Sequence, residues 1–239
     1  MLIVIPMAGL SQRFIQSGYK QPKYMLSLWE QSVFYCAVNS FKNYFNTHKI
    51  LFICRDICDT KSFIDKECHK LMLTYYEIIV LEKETMGQAH TVLLGLEKAK
   101  VKDTESLLIF NIDTFRPNFY LPEIFDYNEI HGYLEVLHAE GNHWSFVLPD
   151  KDSNKVLKTS EKERISPLCS SGLYYFKNAK DFCNALNLSM NNKETTKGEY
   201  YIAPLYNTLI EWGMDIRFFL INPNEVVFCG TPTDYLRLK

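Results

Sequence analysis

No stretch of these 239 residues approaches the ~18 consecutive apolar residues of a membrane-spanning helix. The first apolar run, Leu2-Ile3-Val4-Ile5, is too short for a signal peptide and has no basic residues before it, so export is not indicated. A cysteine framework is missing too. Seven cysteines are an odd number without regular spacing, which reads as reduced thiols in a cytoplasmic protein. Cys54, Cys58, Cys68 and His69 match no common zinc spacing, and Cys54 falls inside an apolar run, so no zinc site is read there. Charge of one sign is also scarce. A formal net charge of −2 leaves no broad basic surface, which argues against nucleic acid as a main partner and makes any cationic site local. There is no internal repeat, low-complexity tract or clear linker, and sequence spacing supports no Ser-His-Asp triad.

What the chain does have is material for a packed core, with 47% hydrophobic and 14% aromatic residues. Short β-branched runs at Leu2–Ile5, Ile50–Cys54, Glu77–Leu81 and Leu107–Phe110 read as buried strands. Between them, apolar spacing predicts helices within 31–45 (Phe34, Val38, Phe41, Phe45, with Ser32 as a cap), around 61–73 and over 87–99. This alternation predicts an α/β fold with a Rossmann-like, doubly wound and mostly parallel sheet. The second half is richer in strands. Tyr133–Leu137 and Trp144–Val147 read as a pair joined through Glu140-Gly141-Asn142, followed by strands at 156–157, 172–176, 216–221 and 226–228. Helices are expected over 179–188 and 200–212. A single domain, 1–239, is the economical reading, with its halves meeting near residue 130.

Ligands on such sheets gather beyond the carboxyl ends of the strands. Three segments fall there. After the first strand, Ala8-Gly9-Leu10-Ser11-Gln12-Arg13 turns through a glycine and leads to the cations Arg13 and Lys23, a plausible cradle for phosphates. Gly87-Gln88 opens a helix, with an amide that both donates and accepts. Asp113 follows the fourth strand, where a carboxylate can hold a divalent metal against phosphate oxygens.

These segments resemble those of the sugar-1-phosphate nucleotidyltransferases, the nucleoside-diphosphate-sugar pyrophosphorylases, in a short single-domain form. Residues 8–13 with Pro22-Lys23 are similar to the G-G-x-G-T-R…P-K signature, with Ser11 in place of a glycine and Gln12 in place of the threonine. Glu84–Ala89 resembles the nucleobase loop, Asn111-Ile112-Asp113 the metal-binding strand end, and Glu161-Lys162 with Ser170–Phe176 the E-K and S-x-G-x-Y-x-F segments. Gly198-Glu199-Tyr200-Tyr201 and Gly230-Thr231-Pro232 match further segments. A second metal-binding Asp, expected two residues before that last glycine, is replaced by Phe228, which leaves Asp234 as a substitute ligand or the cap of a helix.

The resemblance implies a GT-A-like fold, a nucleotide-binding half over about 1–130 and an acceptor-binding half over about 131–239. It implies catalytic roles for Arg13, Lys23 and Asp113 and nucleotide contacts from Ala8, Gly9, Leu10, Ser11, Gly87 and Gln88. Acceptor contacts would come from Glu161, Lys162, Gly172 and Glu199, and Mg²⁺ would sit at Asp113 and Asp234. The implied reaction transfers a nucleoside monophosphate from a nucleoside triphosphate to a sugar phosphate, releasing pyrophosphate, in surface or capsule polysaccharide precursor synthesis. A homo-oligomer is an expectation of the same kind. Three alternatives stand beside it. One is a cytidylyltransferase acting on a phosphorylated alcohol, and another a catalytically silent nucleotide-binding module. The third is a glycosyltransferase, disfavoured because Asp113 lacks a D-x-D partner: position 111 is Asn and 115 is Phe.

Overall fold

A computed structural model describes residues 1–239. The chain begins with β1 (Leu2–Pro6), α1 (Gln12–Gln16), the short strands β2 (Ser27–Leu28) and β3 (Gln31–Ser32), and α2 (Val33–Asn39). It continues through β4 (Lys49–Cys54), α3 (Thr60–Lys70), β5 (Tyr76–Val80), α4 (Gln88–Lys98), β6 (Leu107–Phe110) and β7 (Thr114–Phe115). Strands β6, β1, β4 and β5 lie side by side in that order and all run parallel. β1, β6 and all of β4 after Lys49 are buried on both faces, which is why they read as unbroken apolar runs, whereas the edge strand β5 buries only Ile79.

The remainder comprises β8 (Gly132–His138), β9 (Ser145–Pro149), β10 (Val156–Glu161), β11 (Leu168–Phe176), α5 (Ala179–Asn191), α6 (Leu205–Glu211), β12 (Ile216–Leu220), β13 (Val227–Phe228) and α7 (Pro232–Leu238). Strand β11 runs antiparallel to β6 and carries the sheet onward to nine strands. Alternate residues of β1 face opposite layers. Ile3 and Ile5 pack with Phe34 of α2 and Ile64 of α3, while Leu2 and Val4 join the layer of α4, α5 and α6 through Val92, Phe182 and Tyr206. Helices thus cover both faces, as the doubly wound reading requires.

Three expectations are corrected. Strands β8 and β9 do not form a hairpin. The wholly buried β11 lies between them, pairing with β8 along Leu168–Phe176 and meeting β9 at Cys169 and Phe146. The helix expected over 200–212 begins only at Leu205, because the backbone of Tyr200 is bonded elsewhere: its N–H donates to Met86 O (2.7 Å) and its carbonyl accepts from Ala89 N–H (3.0 Å). The 31–45 segment is helical only to Asn39, with a short 3₁₀ turn at Lys42–Tyr44. Ser32 caps it as expected, accepting from Tyr35 N–H at 2.9 Å and donating to the buried Glu67 at 2.6 Å. No helix is long and apolar enough to cross a membrane.

Candidate active site

The parallel block ends its strands on one edge, and the cleft of about 690 Å³ lies there. After β1, the chain passes through Ala8, Gly9 and Leu10 to Ser11, all of which line the cleft. Conformational strain sits at Ser11 rather than at Gly9. Ser11 has φ 52° and ψ 34°, the left-handed region that costs a non-glycine residue roughly 1 kcal/mol. The backbone therefore keeps the conformation that favours glycine, despite the serine. The hydroxyl offers partial compensation by accepting Lys23 N–H at 3.1 Å. A Cβ built on Gly9 meets nothing within 4 Å, so that glycine keeps the cleft floor bare.

Lys23 then extends its ammonium to the Asp113 carboxylate, joining segments 90 residues apart. Gly230 closes over this point: a Cβ there would lie 3.2 Å from Asp113 Oδ2. Arg13, exposed in the first turn of α1, lines the same cleft with no ion-pair partner of its own. Arg13, Lys23, Lys162 and Lys197 supply four cations to the cleft; Glu84, Asp113 and Glu199 are its carboxylates.

The loop before α4 forms a second wall. Gly87 has φ 111°, and a Cβ would stand 2.6 Å from Tyr200 O and 2.7 Å from Tyr200 N, so no side chain fits. Its neighbour Gln88 donates through Nε2 to Asn111 Oδ1, tying that wall to the strand end before Asp113. Beside the same wall, where Tyr200 and Glu199 pack on Gly87, Lys162 donates to the phenol of Tyr201, whose ring centroid is 4.0 Å from Nζ. Tyr201 in turn donates to Glu199. Burial and the bonded Glu199 carboxylate push the Tyr201 phenol well above its ordinary value.

Of the expected site residues, Arg13, Lys23, Asp113, Ala8, Gly9, Leu10, Ser11, Gly87, Gln88, Lys162 and Glu199 meet in this one cleft. Three do not line it. Glu161 turns behind Lys162, where it accepts from Ser145 Oγ, with Lys162 Nζ 3.9 Å away. Gly172 lies under the floor; with φ 93° and no Cβ it leaves room for the Asn111 side chain, whose Nδ2 would be 2.4 Å from a built Cβ. The third is Asp234, expected as a metal ligand or as the cap of a helix. Its carboxylate accepts from the backbone and hydroxyl of Thr231 (3.0 and 2.6 Å) in a capping box that starts α7.

The half-buried Phe228 gives no second carboxylate; its ring packs 4.8 Å from that of Trp144. No three acidic, histidine or cysteine side chains cluster as a metal site. Asp113 alone still suits Mg²⁺, which takes one or two protein carboxylates and completes its shell with phosphates and water. The sequence reading missed Lys197 and Asn111 as lining groups. Lys197 lies in the polar stretch 191–197, which carries no periodicity, and only Gly198 beside it marks a tight turn.

Two outcomes test these local arguments. Ser11→Ala retains the left-handed strain and removes the acceptor for Lys23 N–H, so it should lose about 1 kcal/mol in urea unfolding. Ser11→Gly loses the same bond but relieves the strain and should lie near the parent. Burial pushes the Glu161 carboxyl up, against the pull of Ser145 and Lys162, so the folded state disfavours its charge. A folded-state value above the unfolded one means stability falls as pH rises between the two. Glu161→Gln should therefore raise the thermal midpoint at pH 8 relative to the parent, a difference that shrinks as pH drops through the ordinary glutamate range.

No protein-family model matches the chain, and no curated protein does either. Among solved structures, a nucleoside-diphosphate-sugar pyrophosphorylase from Vibrio cholerae RC9 is 46% identical, with a TM-score of 0.93 over 99% of this chain and 98% of that one. A UDP-glucose pyrophosphorylase complexed with UDP-glucose shares the fold at TM-score 0.78 and 15% identity, over 99% of this chain and 96% of that one. The inositol-1-phosphate CTP transferase from T. maritima does so at 0.75 and 15%, over 98% and 90%. Near-complete coverage at 46% identity places this chain in the family of nucleoside-diphosphate-sugar pyrophosphorylases.

Proposed function

We propose that the protein transfers a nucleoside monophosphate from a nucleoside triphosphate to a sugar phosphate, releasing pyrophosphate, to supply an activated sugar for surface polysaccharide. The observation that carries this reading is the convergence of Arg13, Lys23, Asp113 and Lys162 in one cleft, two cations at its β1 end and one at its β10 end. Such a reaction needs placement and charge neutralisation more than a base, because the attacking phosphate is already ionised.

A phosphate oxygen of the acceptor attacks the α-phosphorus, and the bond to the bridging oxygen breaks as pyrophosphate departs. The Ala8–Ser11 backbone and Arg13 receive the departing β- and γ-phosphates. Lys23, fixed by Ser11 and Asp113, meets the charge at the α-phosphate. Lys162 holds the acceptor phosphate, and Glu199 accepts from acceptor hydroxyls, a charge-assisted bond that orients a polyol. Gly87 and Gln88 offer the base a backbone surface and an amide. Mg²⁺ held at Asp113 would supply further neutralisation of phosphate charge.

Purified protein incubated with a panel of nucleoside triphosphates and sugar phosphates, with phosphorylated alcohols alongside, should release pyrophosphate for at least one sugar-phosphate pairing. Release only with a phosphorylated alcohol, or none with any pairing, would sink the reading. With the productive pair, Lys23→Ala should lower kcat by about 10²–10³-fold, the range for losing one preorganised charge contact. Chelation by EDTA should stop turnover, and added Mg²⁺ should restore it.

A further inference from the structure

Behind the cleft lies an ion pair that nothing above employs. Arg116 and Glu135 have side chains only 5% and 1% exposed, and Arg116 Nε donates to both Glu135 oxygens at 2.9 and 3.0 Å. Neither residue lines the cleft. Buried pairs are poor sources of stability, since apolar replacements of similar size are often neutral or better. What this pair contacts suggests a different role.

Arg116 directly follows β7, and its Nη1 donates to Glu225 O at 2.7 Å, just ahead of β13. It thus closes the far end of the β7–β13 ribbon, whose near end is Cys229 N–H donating to Asp113 O at 2.8 Å. Glu135 reaches the other side. It accepts from Ser171 Oγ at 2.8 Å, and the adjacent Gly172 carbonyl accepts Asn111 N–H at 3.1 Å. The backbone of Arg116 is itself held, donating to Ser40 Oγ at 2.8 Å. Residues 111–116, which carry Asp113, are therefore anchored at both ends through one carboxylate.

We propose that Glu135 and Arg116 are positioning residues for Asp113, fixing the segment 111–116 from both ends so that the carboxylate stays in register with Lys23 and the substrate phosphates. This rests on Asp113 acting as read above. With only one carboxylate available in the cleft floor, any slack in that segment passes directly to the reacting phosphates, where a misplacement of about 1 Å can cost 10²-fold in rate.

The double variant Arg116→Met/Glu135→Leu removes both charges and keeps the volume. It should fold with a thermal midpoint close to the parent, lower kcat by about 10–100-fold, and leave the KM for nucleotide within about twofold. It should also need more Mg²⁺ for half-maximal rate. A folded double variant with parental kcat and Mg²⁺ requirement overturns the proposal. If it fails to fold, Ser171→Ala decides, because it cuts only the link from Glu135 to the Gly172 side: a several-fold fall in kcat with unmoved KM supports the proposal, and an unchanged kcat overturns it. Asp113→Ala separates the two layers. Parental turnover there removes Asp113 from the reaction and the proposal with it, whereas an inactive Asp113→Ala beside a fully active double variant overturns the positioning role alone.

Discussion

The contact between the Lys23 ammonium and the Asp113 carboxylate joins segments that are distant in sequence, and the layout of the cleft follows from how it is achieved. It needs β1 and β6 to be adjacent, parallel and in register, which the pairing of Leu2 with Leu107 and Val4 with Ile109 supplies. Parallel strands deliver their following loops to the same edge, so the phosphate-loop candidate and the carboxylate emerge together. Had β6 run the other way, Asp113 would start from the opposite edge of the sheet. The geometry of the site is thus a consequence of strand direction before any single side chain is considered.

Much of the parallel half was legible because a strand buried on both faces must be apolar throughout. Ile50–Cys54 and Leu107–Phe110 announce themselves without context. The second half was less legible for a physical reason. Tyr133–Leu137 and Trp144–Val147 have local features of a hairpin, but β8 pairs with β11 and β12, and β9 chiefly with β10, all of which come later in the chain. Strand pairing is decided by burial across the sheet, and nothing in the Glu140-Gly141-Asn142 turn records it. Likewise, the late start of α6 reflects hydrogen bonds from Tyr200 to the loop at 86–89, a long-range demand invisible to helical periodicity.

The candidate site shows the same division. The expected residues on strand-end loops meet in one cleft because topology alone brings them together. Glu161 and Gly172 belong to matching segments yet face away from the cleft, one behind Lys162 and the other beneath Asn111. A motif marks a neighbourhood in which some positions touch the ligand and others shape the backbone that does. Sequence spacing does not separate those two kinds of position; the direction of each side chain does.

Two departures from the signature carry different consequences. At Ser11 the backbone holds a conformation that favours glycine, and the hydroxyl is drawn into holding Lys23. At Phe228 the departure is one of chemistry. An aromatic ring packed on Trp144 stands where the resemblance implied a carboxylate, and Asp234 is committed to starting α7. In the reading proposed above, Asp113 is then the one carboxylate at the strand end, with Lys23 against it. A site with one anionic anchor tolerates less play in that anchor than a site with two, because no second ligand shares the placement. The buried arginine and glutamate bonded to each other behind residues 111–116 meet that demand for stiffness, and a purely apolar filling would provide volume without direction.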